Sequence, residues 1–389
     1  MRNRLRGRRA TERETPAAKA DDRIAWFDYA KGICILLVAM MHSTLGVEEA
    51  IGHEGFMHWV VAFAKPFRMP DFFLLSGLFL FRLIDRDWRT YLDRKLLHFA
   101  YFYVLWLTIL MAVKQGPLLV SDPASWLAAF AEAFVTPNPN LWFIYNLPLF
   151  FLVTKAAHAL RIPNWLLWLG AAALQTFPPH TGWEALDDYG AHYYVFFLSG
   201  YLLAPKVFQI AAWARENVDK ALLGLAGWFL FNSFIAFTPA SFAGFEKIAQ
   251  IPVLRIGFGL IGAIAVVTIA SLLSRVDGAK VVRYAGRNSI VIYVSFVLPM
   301  AATRVALLKS GLVTDAGVIS LIVWLVAASV PLAFHALIRN TWGRYLFERP
   351  DALKIEKPRS KAAVVPEIAE RSPRLEGRTF AVPMTVSRR

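Results

Sequence analysis

A chain of 389 residues in which 57% are hydrophobic and 18% charged departs from soluble domains, which run at about 45–50% and about 25%. A mean hydropathy of +0.45 also excludes an intrinsically disordered chain. The net charge of +14 does not form one basic patch: residues 1–23 carry 8 basic and 4 acidic side chains and residues 339–389 carry 12 and 6. These read as solvated tails, and no nucleic-acid partner is expected. The single cysteine, Cys34, excludes an internal disulfide framework and leaves no cysteine cluster for a metal, so none is expected.

A window of about 20 residues, the length of a bilayer-spanning helix, gives ten apolar segments: 24–45, 56–81, 96–113, 141–160, 162–177, 189–205, 221–238, 251–274, 288–308 and 316–338. The loops between them alternate in charge. Loops 82–95, 155–161, 206–220 and 275–287 hold 5, 2, 3 and 4 basic residues, whereas the five opposite loops hold 3. By the positive-inside rule the basic loops and both tails face the cytoplasm. The expected fold class is therefore all-α: a polytopic helical membrane protein with about ten transmembrane helices over 24–340. Basic disordered cytoplasmic tails are expected at 1–23 and 341–389. The first apolar run lacks a small-residue cleavage pattern and contains Asp28, Lys31 and His42, so it reads as a span and not as a cleavable signal. No internal repeat of fixed period and no inverted halves are evident.

Seven charged residues fall inside apolar segments and outside the basic loops: Asp28, Lys31, Lys65, Arg68, Asp71, Arg255 and Arg304. Each costs about 2.5–3.5 kcal/mol at a helix centre, so each should face a cavity, a partner or an interface. In the first span Lys31 and His42 are eleven residues apart. That is about 20° beyond three turns, so both leave one helix face about 16 Å apart along the axis. Asp28 can neutralise Lys31 as an i,i+3 pair; the plainer reading is that the two only mark the membrane boundary.

In the second segment Pro66 and Pro70 predict a broken helix, tolerated at membrane depth where backbone lines a cavity. Arg68 and Asp71 stand beside the break, either paired with each other or with Arg68 holding a polar or anionic ligand. Ser76-Gly77 reads as a close-packing point and not as a nucleophile. Arg94 and Lys95, with Arg86 and Arg89 nearby, either set topology or dock a phosphorylated donor. The run Gly257-Phe-Gly259-Leu-Ile-Gly262 matches a dinucleotide fingerprint but has no preceding strand, so its glycines are expected to pack helices.

The sequence resembles the acyltransferase-3 superfamily of integral membrane acyltransferases, within it the branch of fucose 4-O-acetylase-like and OpgC-like proteins. The resemblance covers about residues 24–340. It rests on Asp28, Lys31-Gly32 and His42, and on Phe72-Phe73-Leu74-Leu75-Ser76-Gly77 after PFRMP at 66–70. Weaker support comes from Arg94-Lys95, LWFIY at 141–145, LSGYLL at 198–203, and Gly286-Arg-Asn288-Ser289 before Ile292-Tyr293. The chain departs from the pattern in three places. Lys31 replaces an arginine common in relatives, Asp71 stands where an apolar residue is usual, and Tyr293-Val294-Ser295-Phe296 lacks the histidine of a Tyr-x-x-His motif.

The resemblance implies a multi-pass protein of the cytoplasmic (inner) membrane. It would be an O-acyltransferase moving an acyl group, acetyl first among them, from cytoplasmic acyl-CoA to a hydroxyl of a glycan or glycolipid acceptor. His42 would be base or acyl carrier, and Arg68 would polarise the thioester or bind the acceptor. Lys31, Arg94 and Lys95 would hold donor phosphates, with Asp28, Asp71 and Ser76 in support. A transporter or flippase of a polar or lipid-linked substrate is the alternative, since buried charges and a broken helix serve it equally well. An inactive membrane scaffold is a third reading, favoured only by Lys31 and Ser295.

Overall fold

The computed structural model describes residues 16–241 and 244–355. Each of the ten apolar segments folds as helix. Helix α1 (Pro16–Ile51) is followed by α2 (Met57–Ala64) and α3 (Arg68–Gly77), then by α4 (Trp88–Leu92), a π-helical turn (Asp93–Leu97) and α5 (His98–Lys114). Short helices α6 (Gly116–Ser121) and α7 (Pro123–Glu132) lead to α8 (Trp142–Ala159) and α9 (Asn164–Thr176). Next come α10 (Ala191–Leu202), α11 (Ala204–Glu216), α12 (Val218–Phe237) and α13 (Pro252–Leu273). The chain closes with α14 (Lys280–Arg287), α15 (Ser289–Ser295), α16 (Val297–Ser310) and α17 (Ala316–Ile338). The strands described are β1 (Pro239–Ala240) and β2 (Phe245–Lys247), an antiparallel hairpin pairing Ala240 with Phe245.

The protein is a helical membrane protein, but the count of ten spans is not confirmed. Among the described residues, five helical stretches are long and apolar enough to cross a membrane: Ala25–Ile51, Trp88–Lys114, Val218–Phe237, Pro252–Leu273 and Ala316–Ile338. Two bent pairs raise the number to seven, α10 with α11 at 73° and α15 with α16 at 53°. The other segments fall short for physical reasons. Pro66 divides one into helices of 8 and 10 residues, α9 has only 13, and α8 carries Asn146, Lys155 and His158.

Helix α1 is the axis of the fold, packed against α3, α13, α14 and α17. Its approach to α14 is backbone to backbone: a Cβ at Gly32 would lie 2.1 Å from the Val282 carbonyl oxygen, and one at Gly286 would lie 1.7 Å from that of Asp28. Helices α3 and α10 cross in the same way at Gly77 and Gly200, where added Cβ atoms would lie 2.1 Å from Phe197 O and 2.0 Å from Leu74 O. The expected packing role of Ser76-Gly77 is met there, small residues being what lets membrane helices touch. Gly259 and Gly262 pack against Phe196 and Phe67, while Gly257 faces open space. No nucleotide turn exists in that run, since all three glycines lie inside α13.

The expected break in the second segment falls between α2 and α3. Phe67 N–H bonds Ala64 O instead of continuing the α ladder, and the Phe63 carbonyl so released accepts Asn232 Nδ2 of α12 at 2.8 Å. At the other end of the chain, residues assigned by sequence to the second tail prove folded. Trp342–Leu346 and Asp351–Leu353 form 3-10 turns, the first of which docks on α5. Folded structure therefore continues past the tail boundary expected at 341, because the Phe347 and Arg349 side chains and the Tyr345 and Leu346 carbonyls find partners on the helical core. Residues 1–15 and 356–389 of the expected tails lie outside the described residues.

Candidate active site

Three helix stripes converge on one cavity. Position i+4 on α1 joins Phe27 to Lys31, α3 turns Phe72, Leu75 and Ser76 the same way, and α15 adds Ser289, Ile290 and Tyr293. With Phe79, Lys95, Phe99, Phe143, Ile144, Leu147 and Phe151 they enclose about 300 Å³. The walls are aromatic and aliphatic, and the charge is all positive: Lys31 and Lys95. Lys31 Nζ stands 3.1 Å from Asp28 Oδ1, as the i,i+3 spacing predicts, and 5.0 Å above the Phe27 ring. Asp28 is shared, for Arg287 Nε donates to its Oδ2 at 3.1 Å. Lys95 Nζ lies 4.3 Å from the centre of the Phe151 ring. Arg94 is exposed and does not line the cavity, so the adjacent Arg94 and Lys95 do not act there together.

The second cluster lies deeper along α1. His42 is half-buried, its ring 5.3 Å from that of Phe296, and Arg68 and Lys114 are within electrostatic reach of it. Phe296 is where a Tyr-x-x-His spacing would place the absent histidine, and it marks the bend between α15 and α16. Arg68 is 7% exposed; its Nη2 contacts Met41 Sδ at 3.0 Å, and Nε and Nη1 have no hydrogen-bond partner. No ion pair joins Arg68 to Asp71 among the described residues. Asp71 is fully buried and accepts the Cys34 thiol at Oδ2, 2.5 Å away, leaving Oδ1 without a partner. Ser76 Oγ donates to Phe72 O at 2.8 Å within its own helix, so its hydroxyl is held as a helix-wall group. Ser295 does the same to Val291 O at 2.7 Å.

The cavity and His42 are neighbours without sharing a wall. On α3 Phe72 lines the cavity and Arg68, one turn earlier, does not; on α15 Tyr293 lines it and the next contact along that face is Phe296 on His42. Phe72 stacks on Phe143 at 4.4 Å and 5°, and the Phe143 N–H donates to Tyr293 Oη at 3.2 Å. These aromatic residues line the cavity together with the lysines, and His42 is not among its lining residues. Sequence reasoning singled out Lys31, Arg68, Ser76, Lys95 and His42 but not these aromatic residues. Their signals were present in the matched stretches that contain Phe72, Phe143 and Tyr293. Lys155 was read only as a loop cation, yet it is buried and donates to the carbonyls of Ile84 and Arg86 at 2.5 and 2.8 Å. It therefore closes the turn before α4.

The other intramembrane charges are structural. Arg304 Nη1 donates to Gly46 O at 2.8 Å, Arg255 lies over the Tyr193 ring and reaches its hydroxyl at 3.3 Å, and Lys65 is exposed.

Comparison with known proteins bears on this arrangement. The family described as an acyltransferase domain, acyltransferase 3, matches residues 24–338. The inner membrane protein YcfT of Escherichia coli K12 is 27% identical over 182 residues, 41% of this chain and 50% of that protein. The chain thus spans about half the length of the curated relative it matches. No solved structure matches.

Proposed function

Because this chain belongs to the acyltransferase-3 family of membrane proteins, we propose that it moves an acyl group, acetyl first among them, from cytoplasmic acyl-CoA to a hydroxyl of a glycan or glycolipid. The acceptor would lie beyond the inner membrane. The observation that carries this reading is the buried Arg68 guanidinium within electrostatic reach of His42, with two of its three nitrogens unpartnered. A buried cation without an acid is expensive in the resting protein, and it offers stabilisation to negative charge that develops during a reaction. A thioester carbonyl becoming an oxyanion meets that description.

The remaining parts have consistent tasks. The cavity of about 300 Å³ is at the small end of ligand sites and suits the slender arm of coenzyme A, whose thioester end would reach beyond it to Arg68 and His42. Lys31 and Lys95 supply charge for its phosphates. Lys31 binds these as a point charge and not with the bidentate fork an arginine would offer. His42 accepts the proton of the attacking hydroxyl as the new C–O bond forms and the thioester C–S bond breaks, then returns it to the departing thiolate. Phe72, Phe143 and Tyr293 keep water from the thioester until the acyl group is seated.

The test is release of free coenzyme A from acetyl-CoA by membranes holding wild type or His42→Ala at matched levels, with envelope glycans as acceptors. Release that requires the protein and vanishes in the variant is expected. Release undiminished in the variant would move the base elsewhere, and no release from wild type would favour a transporter.

A further inference from the structure

The helix that carries Lys95 to the cavity changes its winding just where it does so. Between α4 and α5, Asp93–Leu97 form a π-helical turn, a rare geometry that inserts one residue into the turn and gathers at functional positions. Within it Asp93 is 3% exposed, Arg94 is exposed and Lys95 lines the cavity. A carboxylate so deeply placed requires a partner, and its partner is 256 residues away. Arg349, 6% exposed, forms an ion pair with the Asp93 carboxylate and donates from Nη1 to the Asp93 carbonyl at 2.7 Å. The Ile355 N–H adds a bond to Asp93 Oδ1 at 3.1 Å.

The same C-terminal segment grips the next turns of α5. Tyr101 Oη donates to Tyr345 O at 2.6 Å, Trp106 Nε1 donates to Leu346 O at 2.9 Å, and the Phe347 ring lies 5.5 Å from that of Trp106. All of these C-terminal partners follow residue 338, the last one matched to the family.

We propose that residues 342–355 are a latch that fixes the register of Lys95 at the cavity through the Arg349–Asp93 pair. Arg349 is then a positioning residue for recognition of the donor's phosphates. If the pair is lost, the turn can relax to regular α-helix, and one residue of register rotates Lys95 by about 100° relative to its present direction.

The role assigned to Lys95 rests on the reading of the cavity as the acyl-donor site, so the test has two arms. Removing one partner leaves the other charge buried and unpaired, which destabilises. The variants are therefore Arg349→Lys, which keeps the charge but loses the fork, and the neutral double variant Asp93→Asn with Arg349→Gln.

In the first arm, coenzyme A release by the full-length protein is measured against acetyl-CoA concentration. Arg349→Lys is expected to raise KM about tenfold, which is about 1.4 kcal/mol, with kcat unchanged, and to add nothing further once Lys95→Ala is present. A fall in kcat at constant KM, or additive losses in the combined variant, would overturn the proposal. The second arm needs no acyl transfer. A charged maleimide labels full-length protein carrying Lys95→Cys, with and without the neutral pair, and native Cys34, fully buried, serves as the internal blank. A several-fold change in labelling rate is expected, and an unchanged rate would overturn the latch. A changed labelling rate, together with no coenzyme A release by the wild-type protein, would support the latch and refute the donor reading instead.

Discussion

Arg68 keeps a positive charge where its nearest polarisable neighbour is a thioether, Met41 Sδ at 3.0 Å. A residue retained for stability would not be built this way, because replacing an uncompensated buried charge by an apolar side chain of similar volume is neutral or stabilising. Arg68→Met should therefore leave the thermal midpoint of the solubilised protein equal or higher while lowering acyl transfer about 10²–10³-fold. A lower midpoint with activity retained would make Arg68 structural. Asp71 is the opposite case. Its Oδ2 is held by Cys34 and its Oδ1 is not held, so Cys34→Ala should destabilise by about 1–3 kcal/mol, the desolvation cost of an orphaned polar group, read as a drop in unfolding midpoint. At this scale the sequence was legible only where partners share a helix. The Asp28–Lys31 pair follows from spacing. The pairing of Asp71 with Cys34 and of Arg68 with Met41 depends on how α3 lies against α1, which no local spacing encodes.

The break between α2 and α3 shows what a helix interruption requires inside a membrane. The ladder ends at Pro66, Phe67 N–H turns to Ala64 O, and the Phe63 carbonyl that thereby loses its donor is supplied by Asn232 from α12. Asn232→Leu should leave Phe63 O without a donor and lower stability by about 1–3 kcal/mol, measurable as a reduced unfolding midpoint. Ser233→Leu should have little effect, since the Ser233 hydroxyl donates only to Phe229 O of its own helix. Pro66 and Pro70 announced the break in the sequence, but the asparagine that accommodates it is 169 residues away and carried no signal of its own. The crossing of α3 over α10 was half legible: Ser76-Gly77 marked one side, and Gly200, inside the LSGYLL stretch, marked the other. Gly77→Val should displace α10, since even a Cβ would come within 2.1 Å of Phe197 O. Loss of folded protein on size-exclusion chromatography is the expected result.

Across the whole molecule, each apolar run folds as helix, because hydropathy reports what lipid and core accept, whereas the helices between the runs, such as α7 and α14, were read as loops. The count of about ten spans is not confirmed: among the described residues five helical stretches, or seven with the two bent pairs, are long and apolar enough, and hydropathy does not report length lost to a proline break, as between α2 and α3. The C-terminal segment was misjudged for a related reason: Tyr345, Phe347 and Arg349 look like tail residues until α5 is beside them. The assembled molecule sets two charged regions along α1, Lys31 at the cavity and His42 outside it within electrostatic reach of Arg68. The central claim is that acyl groups pass from the first region to the second. The most direct measurement uses sealed inside-out vesicles given radiolabelled acetyl-CoA on the outer, formerly cytoplasmic, side. Label should appear on lumenal glycan with wild type and disappear with His42→Ala. Equal labelling of the glycan by both would contradict the account.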